Sequence, residues 1–228
     1  MAPALHDAFE SEVTENGESL ASDMDSDVEQ PVACFCLVYF GRLSPEKNLP
    51  FAFELLAHFA AQHPKQTVVY DLIGAGEPAY EAELCALSAK LPSSVQVNFL
   101  GQLSPEALQA RLRAKGGEPA SITPHPSRYH AMLMPSLTEN FSYTVLESLQ
   151  AGISVLISDQ TPWRGLQADG VGWDLPLADI DLWFDALCCL CGSSAETRES
   201  SKQAALHYVD QWRRGYLHKA NTLFEGKL

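Results

Sequence analysis

Residues 131–158 read AMLMPSLTENFSYTVLESLQAGISVLIS, and the fold is decided here. Ala131–Met134 is a short, wholly apolar run, which predicts a strand buried on both faces. A polar loop follows, and Tyr143–Ala151 carries apolar residues at helical spacing. Ile153–Ser158, a second apolar run, starts two residues after that helix ends. A strand, a crossing helix and a strand joined this tightly predict a parallel βαβ unit.

The same alternation extends in both directions. Upstream, strands are predicted over Ala33–Phe40, Thr67–Ile73 and Val95–Leu100, closed by Gly41, Gly74 and Gly101. Helices are predicted over Leu49–His63, Tyr80–Leu91 and Pro105–Arg113. The polar, proline-containing segment Gly116–Tyr129 reads as an exposed loop. Downstream, Asp181–Cys191 and Ala195–Arg213 read as closing helices. The expected fold is α/β, a Rossmann-like parallel sheet sandwiched by helices. Ligands of such sheets bind beyond the carboxyl ends of the strands, so the loops that follow strands carry the chemistry.

Composition narrows the possibilities. The net charge of the 228 residues is -14, but the charge is not evenly spread. Residues 1–31 hold nine acids and neither Lys nor Arg. The rest carries 20 acids against 15 bases. The acidity thus belongs to a tail, which is expected to be disordered because it lacks the large apolar groups that offset ordering entropy. Residues 32–228 are expected to form the folded domain. No basic surface suited to nucleic acid is evident. No run approaches the roughly 20 apolar residues of a membrane span. Six cysteines, most of them inside apolar runs such as Cys34–Cys36 and Cys188–Cys191, are expected to be reduced and buried, as in a cytoplasmic protein.

Two loops stand out by charge. Gly41–Asn48 (GRLSPEKN) places Arg42 and Lys47 just beyond a strand, where two cations can neutralise a diphosphate. Solvated surface charge is the plainer reading of that pair. Pro135–Glu147 leads into a helix whose first amides, near Ser142–Val145, would face the cleft as an anion site. Glu139 precedes that helix and Glu147 lies within it. Thr144 and Glu147 are spaced as a T-x-x-E capping box, a structural explanation for Glu147. The alternative is that its two carboxylate oxygens accept hydrogen bonds from ribose hydroxyls.

Glu139 and Glu147 also stand in the E-x7-E arrangement of the group-1, family-4 glycosyltransferases, and further segments resemble that family in order. They are GRLSPEKN, LIGAGEP, VNFLGQL, LMPSLTENFSYTVLESLQAGISVLISD, and TPWRGL with GVGWDLPL, spread over residues 36–177. The last portion is similar to bacterial members that build surface polysaccharides. The resemblance implies the C-terminal half of a two-domain GT-B architecture, which binds a nucleoside-diphosphate sugar (UDP-, GDP- or ADP-linked). It implies transfer with retention of anomeric configuration to a glycan or lipid-linked acceptor. No metal or other cofactor is implied, and the location is cytoplasmic, extending to the inner face of a membrane.

By the same resemblance Arg42 and Lys47 would contact the diphosphate, and Glu139 the transferred sugar. The backbone of Phe141, Ser142, Tyr143 and Thr144 would contact sugar and phosphate. Glu147 would hold the ribose, and Leu103 would lie near the base. The family's acceptor-binding domain has no counterpart before residue 32, which implies a separate acceptor-binding domain or chain as partner. The sequence departs from the family at Ser142, where Gly is common. If φ is positive there, Ser is strained by roughly 1–2 kcal/mol. Tyr143 is also bulkier than the usual residue. Ser142 and the missing acceptor half favour an alternative reading, a non-catalytic nucleotide-sugar-binding module. An epimerase or phosphorylase of the same architecture is a third.

Other motifs carry less. Gly74–Ala79 (GAGEPA) fits G-x-G-x-x-A, but Glu77, Glu81 and Glu83 would repel a pyrophosphate. Asp23, Asp25 and Asp27 begin like a calcium loop that Val28 and Cys34 break. Asp179-x-Asp181 is expected to cap a helix. Cys188, Cys189 and Cys191 lack a second ligand pair at zinc spacing. His125 and His130 are expected to be solvated, and Trp163 and Trp173 to pack against the core.

Overall fold

The computed structural model describes residues 34–113 and 129–225, and for residues 216–225 it describes the backbone alone. Six strands form one parallel sheet: β1 Phe35–Phe40, β2 Val68–Ile73, β3 Val95–Phe99, β4 Ala131–Met134, β5 Ser154–Ser158 and β6 Gly172–Leu175. Their order across the sheet is β3-β2-β1-β4-β5-β6. Six helices flank it: α1 Leu49–Gln62, α2 Pro78–Ser88, α3 Pro105–Arg113, α4 Tyr143–Gln150, α5 Ile180–Cys191 and α6 Ala195–Glu225. The α/β, Rossmann-like expectation holds. The tail, His125 and most of the 116–129 loop lie outside the described residues.

Why the central strands are central follows from their sequence. Every side chain of β1 (FCLVYF) and β4 (AMLM) is buried. Each large one contributes on the order of 2 kcal/mol by leaving water. Helix α1 buries Leu49, Ala52, Phe53, Leu55, Leu56, Phe59 and Ala60, a stripe at i, i+3, i+4, i+7 spacing. It packs against α2 and α5, while α4 packs against α6.

The strand order reverses between β1 and β4, so the chain leaves these two neighbours in opposite directions and a crevice opens at their carboxyl ends. Close backbone approach shapes one wall of it. A Cβ at Gly74, where φ is +147°, would sit 1.8 Å from the Gly41 carbonyl oxygen. Only glycine lets the loops after β1 and β2 run side by side.

One strand was not anticipated. β6 has four residues (GWDL), three of them half-exposed, and its register begins with Gly172 opposite Val155. A Cβ at Gly172 would lie 1.9 Å from the Val155 carbonyl oxygen, so close pairing with β5 depends on the glycine. Helix α6 also runs well past the predicted Arg213. The thiol expectation needs correction: Cys36 is buried, but Cys85 and Cys189 are exposed, because the helix-borne cysteines are not all on inward faces. His130, expected in solvent, is buried at the start of β4, and the Cys36 N–H donates to its Nδ1 at 3.0 Å.

Candidate donor site at the strand switch point

The loop after β1 turns sharply. Gly41 N–H donates to the Ile73 carbonyl and Leu43 N–H to that of Ala75, holding the loop against the one after β2. A 3-10 turn over Pro45–Lys47 and Asn48 in the left-handed region (φ 52°) then lead into α1. This geometry throws Lys47 inward and leaves the Arg42 side chain 76% exposed, 3.9 Å from Glu46. Buried Tyr39 fixes the loop from below by donating to the Arg42 carbonyl at 2.8 Å. Burial, reinforced by Glu139 and Glu46, pushes the Tyr39 phenol far above its ordinary pKa, so it remains a donor.

The loop after β4 comes to meet it. Leu137 N–H donates to the Glu46 carbonyl at 2.8 Å, and Glu139 N–H to that of Gln160 at 3.1 Å. The Glu139 carboxylate then lies 2.5 Å from the Lys47 ammonium and accepts from Ser136 Oγ at 3.0 Å.

Helix α4 begins at Tyr143. Its amides Tyr143 and Thr144 precede the first intrahelical bond, Val145 N–H to the Ser142 carbonyl. They open toward the crevice with the positive end of the helix dipole. The capping box is not formed. The residue at the cap is Ser142, with φ 62° and ψ 77° and no side-chain cap, and Thr144 lies inside the first turn. The hydroxyls of Ser142 and Thr144 pair with each other at 2.9 Å instead. The predicted left-handed strain at Ser142 is therefore present.

All nine residues singled out from sequence line two adjoining cavities. The first, about 500 Å³, is bounded by Arg42, Lys47, Glu139, Phe141, Ser142, Tyr143 and Thr144. The second, about 440 Å³, is lined by Leu103 and Glu147 and shares Gly41, Arg42 and Thr144 with the first. Burial in this second cavity raises the Glu147 carboxyl pKa above the usual range. One cavity is thus polar, with two ion pairs, Arg42 with Glu46 and Lys47 with Glu139, beside a helix N-terminus. The other is partly apolar, with Ile73, Leu103 and Leu108 facing a single carboxylate. This division suits a diphosphate with a sugar in the first and a nucleoside in the second.

Sequence reasoning missed Tyr39, hidden inside an apolar strand, and Gln102, Thr138 and Asn140, which line the cavities without a charge to mark them. The G-x-G-x-x-A segment is occupied by its own chain. The Gly76 N–H that a phosphate would take donates to Glu81 Oε1 at 2.6 Å. Asp179 caps α5, accepting from the Leu182 amide. Trp163 is buried and Trp173 packs half-buried against the core. Among the described residues no three His, Cys, Asp or Glu gather as a metal-binding group. None of their helices is long and apolar enough to cross a membrane.

Comparison with known proteins bears on the family and the fold. The family model described as glycosyl transferases group 1 matches residues 29–205. No curated protein sequence matches. Among solved structures, a chain of the GtfA/B complex is 18% identical with a TM-score of 0.55, over 84% of this chain and 37% of that one. Anabaena HepE in complex with UDP and glucose is 19% identical with a TM-score of 0.57, over 86% of this chain and 49% of that one. The C-terminal domain of the group 1 glycosyl transferase LpcC from Francisella tularensis is 15% identical with a TM-score of 0.55, over 79% and 86%. At such identities the likeness is one of fold. The chain spans less than half of the two larger relatives and most of the isolated C-terminal domain.

Proposed function

Because the chain belongs to the glycosyl transferases of group 1, we propose that the two switch-point cavities form the donor site of a glycosyl transfer. The donor is a nucleoside-diphosphate sugar. Its ribose hydroxyls are held by Glu147, and its base lies near Leu103. Arg42, Lys47 and the α4 amides surround the diphosphate, and Glu139 takes the hydroxyls of the sugar. In the reaction the bond from the anomeric carbon to the diphosphate oxygen breaks, and an acceptor hydroxyl oxygen bonds to that carbon with retention. The hydroxyl proton passes to the departing diphosphate. Arg42, Lys47 and the helix terminus meet the charge that develops there, so this reading requires no metal. The acceptor, a glycan or a lipid-linked sugar, is presented by an acceptor-binding unit of the same polypeptide or of another chain.

The observation that carries the reading is the convergence of Lys47, Glu139 and the α4 N-terminus on one cavity, with Arg42 bridging to the next. Calorimetry with UDP, GDP, ADP and their sugar conjugates tests it, with UDP first because HepE is solved with UDP. Selective binding of one nucleotide is expected. Absence of binding for all three at millimolar concentration would sink the assignment. One observation favours a second reading, a module that binds donor without turnover. Ser142, strained and hydrogen-bonded to Thr144, adds bulk where the sugar and phosphate would approach. Turnover with an acceptor-binding unit supplied in trans excludes that alternative.

A further inference from the structure

Beside the donor cavities lies a third concavity, about 360 Å³, lined by Phe141, Pro162, Trp163, Arg164, Tyr208 and Trp212. We propose that it is a platform for the carbohydrate acceptor, seating a hexopyranose of a glycan chain against its rings. The proposal rests on the donor-site reading above.

Four aromatic rings from three parts of the chain converge here. Phe141 lies 5.4 Å from Trp163 and 5.7 Å from Trp212, and Trp163 lies 6.3 Å from Tyr208, all centroid to centroid. The rings are tilted by 45–55° to one another in these pairs, with Trp163 buried beneath and Phe141, Tyr208 and Trp212 left half-buried at the surface of the hollow. The hollow neighbours the proposed donor site. Phe141 lines both, and its ring is 4.7 Å from that of Tyr143, a side chain 70% exposed at the donor cavity. A track of rings thus runs from the place of the transferred sugar to the hollow.

The track is held rigidly. Trp163 Nε1–H donates to the Phe141 carbonyl at 2.6 Å, and the Asp174 carboxylate accepts from the Gly165 and Leu166 amides behind it. Glu139 is tied to the same loop through Gln160. Distances from the rings to the sugar-binding carboxylate are therefore fixed by hydrogen bonds.

The chemistry selects a sugar. One face of a pyranose is a patch of C–H bonds ringed by hydroxyls, which matches an aromatic face with polar groups at its edge. Arg164 supplies such an edge, and its positive charge disfavours the quaternary ammonium that a cage of rings would otherwise suit. An acceptor must reach the anomeric carbon in the donor cavity, and the track begins there.

The test follows tryptophan fluorescence of the full chain during titration with cellohexaose, maltohexaose and chitohexaose, with UDP calorimetry in parallel. A saturable change at millimolar concentration is expected with at least one hexasaccharide. Trp212→Ala should weaken it about tenfold with UDP affinity unchanged. Tyr208→Leu, which keeps an apolar group in place, serves if Trp212→Ala fails to fold. Glu147→Ala should weaken UDP and leave the hexasaccharide unaffected. UDP binding without any hexasaccharide response overturns the platform alone, as does a response undiminished in the ring variants. A hexasaccharide response without nucleotide binding overturns the donor reading and keeps the platform as a glycan site. Absence of both overturns both.

Discussion

Lys47 and Glu139, 92 residues apart in sequence, meet at 2.5 Å across the gap between the loops that follow β1 and β4. Their side chains are 18% and 10% exposed, so the pair is shielded from the solvent that weakens most surface ion pairs. The pairing neutralises the pocket before any ligand arrives. A diphosphate bound as proposed would share Lys47 with a carboxylate already in place, while the exposed Arg42 is held only by Glu46 at 3.9 Å. Replacing Lys47 by Ala strands the Glu139 carboxylate with the Ser136 hydroxyl. The variant is expected to lose about 1–3 kcal/mol of stability and at least about tenfold in UDP affinity. Denaturant melts and calorimetry measure the two. A folded Lys47→Ala chain with native affinity would contradict the diphosphate role.

Glu147 links pH to both stability and binding. Its carboxyl pKa is raised by burial alone, so the charged form is the one the fold disfavours. The stabilising contribution is whole below the ordinary carboxyl pKa and is lost as pH rises through the raised folded value. Glu147→Gln is therefore expected to raise the melting temperature near pH 7 and to leave it unchanged near pH 4. In its proposed ribose role the ionised carboxylate is the stronger acceptor. Nucleotide affinity should fall as pH drops through the raised value, and should fall at least about fivefold in Glu147→Ala at pH 7. A pH-independent affinity would remove Glu147 from the ribose.

Ser142 offers a stabilising change at the candidate site itself. Glycine occupies φ 62° without the Cβ strain, so Ser142→Gly should gain about 0.5–1 kcal/mol after losing the bond to Thr144. For a chain of this size that is a rise of about 1–4 °C in melting temperature. Ser142→Val, β-branched at the same φ, should lower it. If glycine is no better than serine, the left-handed conformation is not costly here.

Far from the candidate site, the fully buried Asp71 accepts from Asn98 Nδ2 at 2.8 Å, Arg111 at 2.9 Å and the Tyr129 hydroxyl at 2.6 Å. It ties β2, β3, α3 and the approach to β4 together. Asp71→Ala leaves Arg111 without its carboxylate and is expected to cost about 3–5 kcal/mol. Tyr129→Phe should cost about 1–2 kcal/mol. Equilibrium urea unfolding reads both, and small losses would mean that solvent reaches the cluster.

What sequence revealed here divides by range. Strands such as β1 and β4 were legible because a run with no polar residue has no exposed face. The positions of Arg42, Lys47, Glu139 and Glu147 were legible because parallel strands put the loops that follow them on one rim. What escaped depended on partners distant in the chain. β6 is a strand only because Gly172 can press against Val155, and nothing in GWDL alone says so. The capping box failed because T-x-x-E presumes Thr144 at the cap, whereas the helix starts earlier, with left-handed Ser142 at the cap and its hydroxyl paired to that of Thr144. His130 was read as a loop residue, yet the Cys36 amide of the next strand claims its ring nitrogen.

The sheet is unevenly sewn. β1 and β2 are in register over six residue pairs, but β1 and β4 over only two, Leu37 with Ala131 and Val38 with Met132. The shortest register of the sheet thus lies between β1 and β4, where the His130 N–H to the Cys36 carbonyl and the packing of α1 on α5 add to the join, and the candidate cavities sit over that seam. A molecule gripped at once by Arg42 and Lys47 from one side and by the α4 amides from the other would act as a splint, stiffening the join where its own stitching is thinnest.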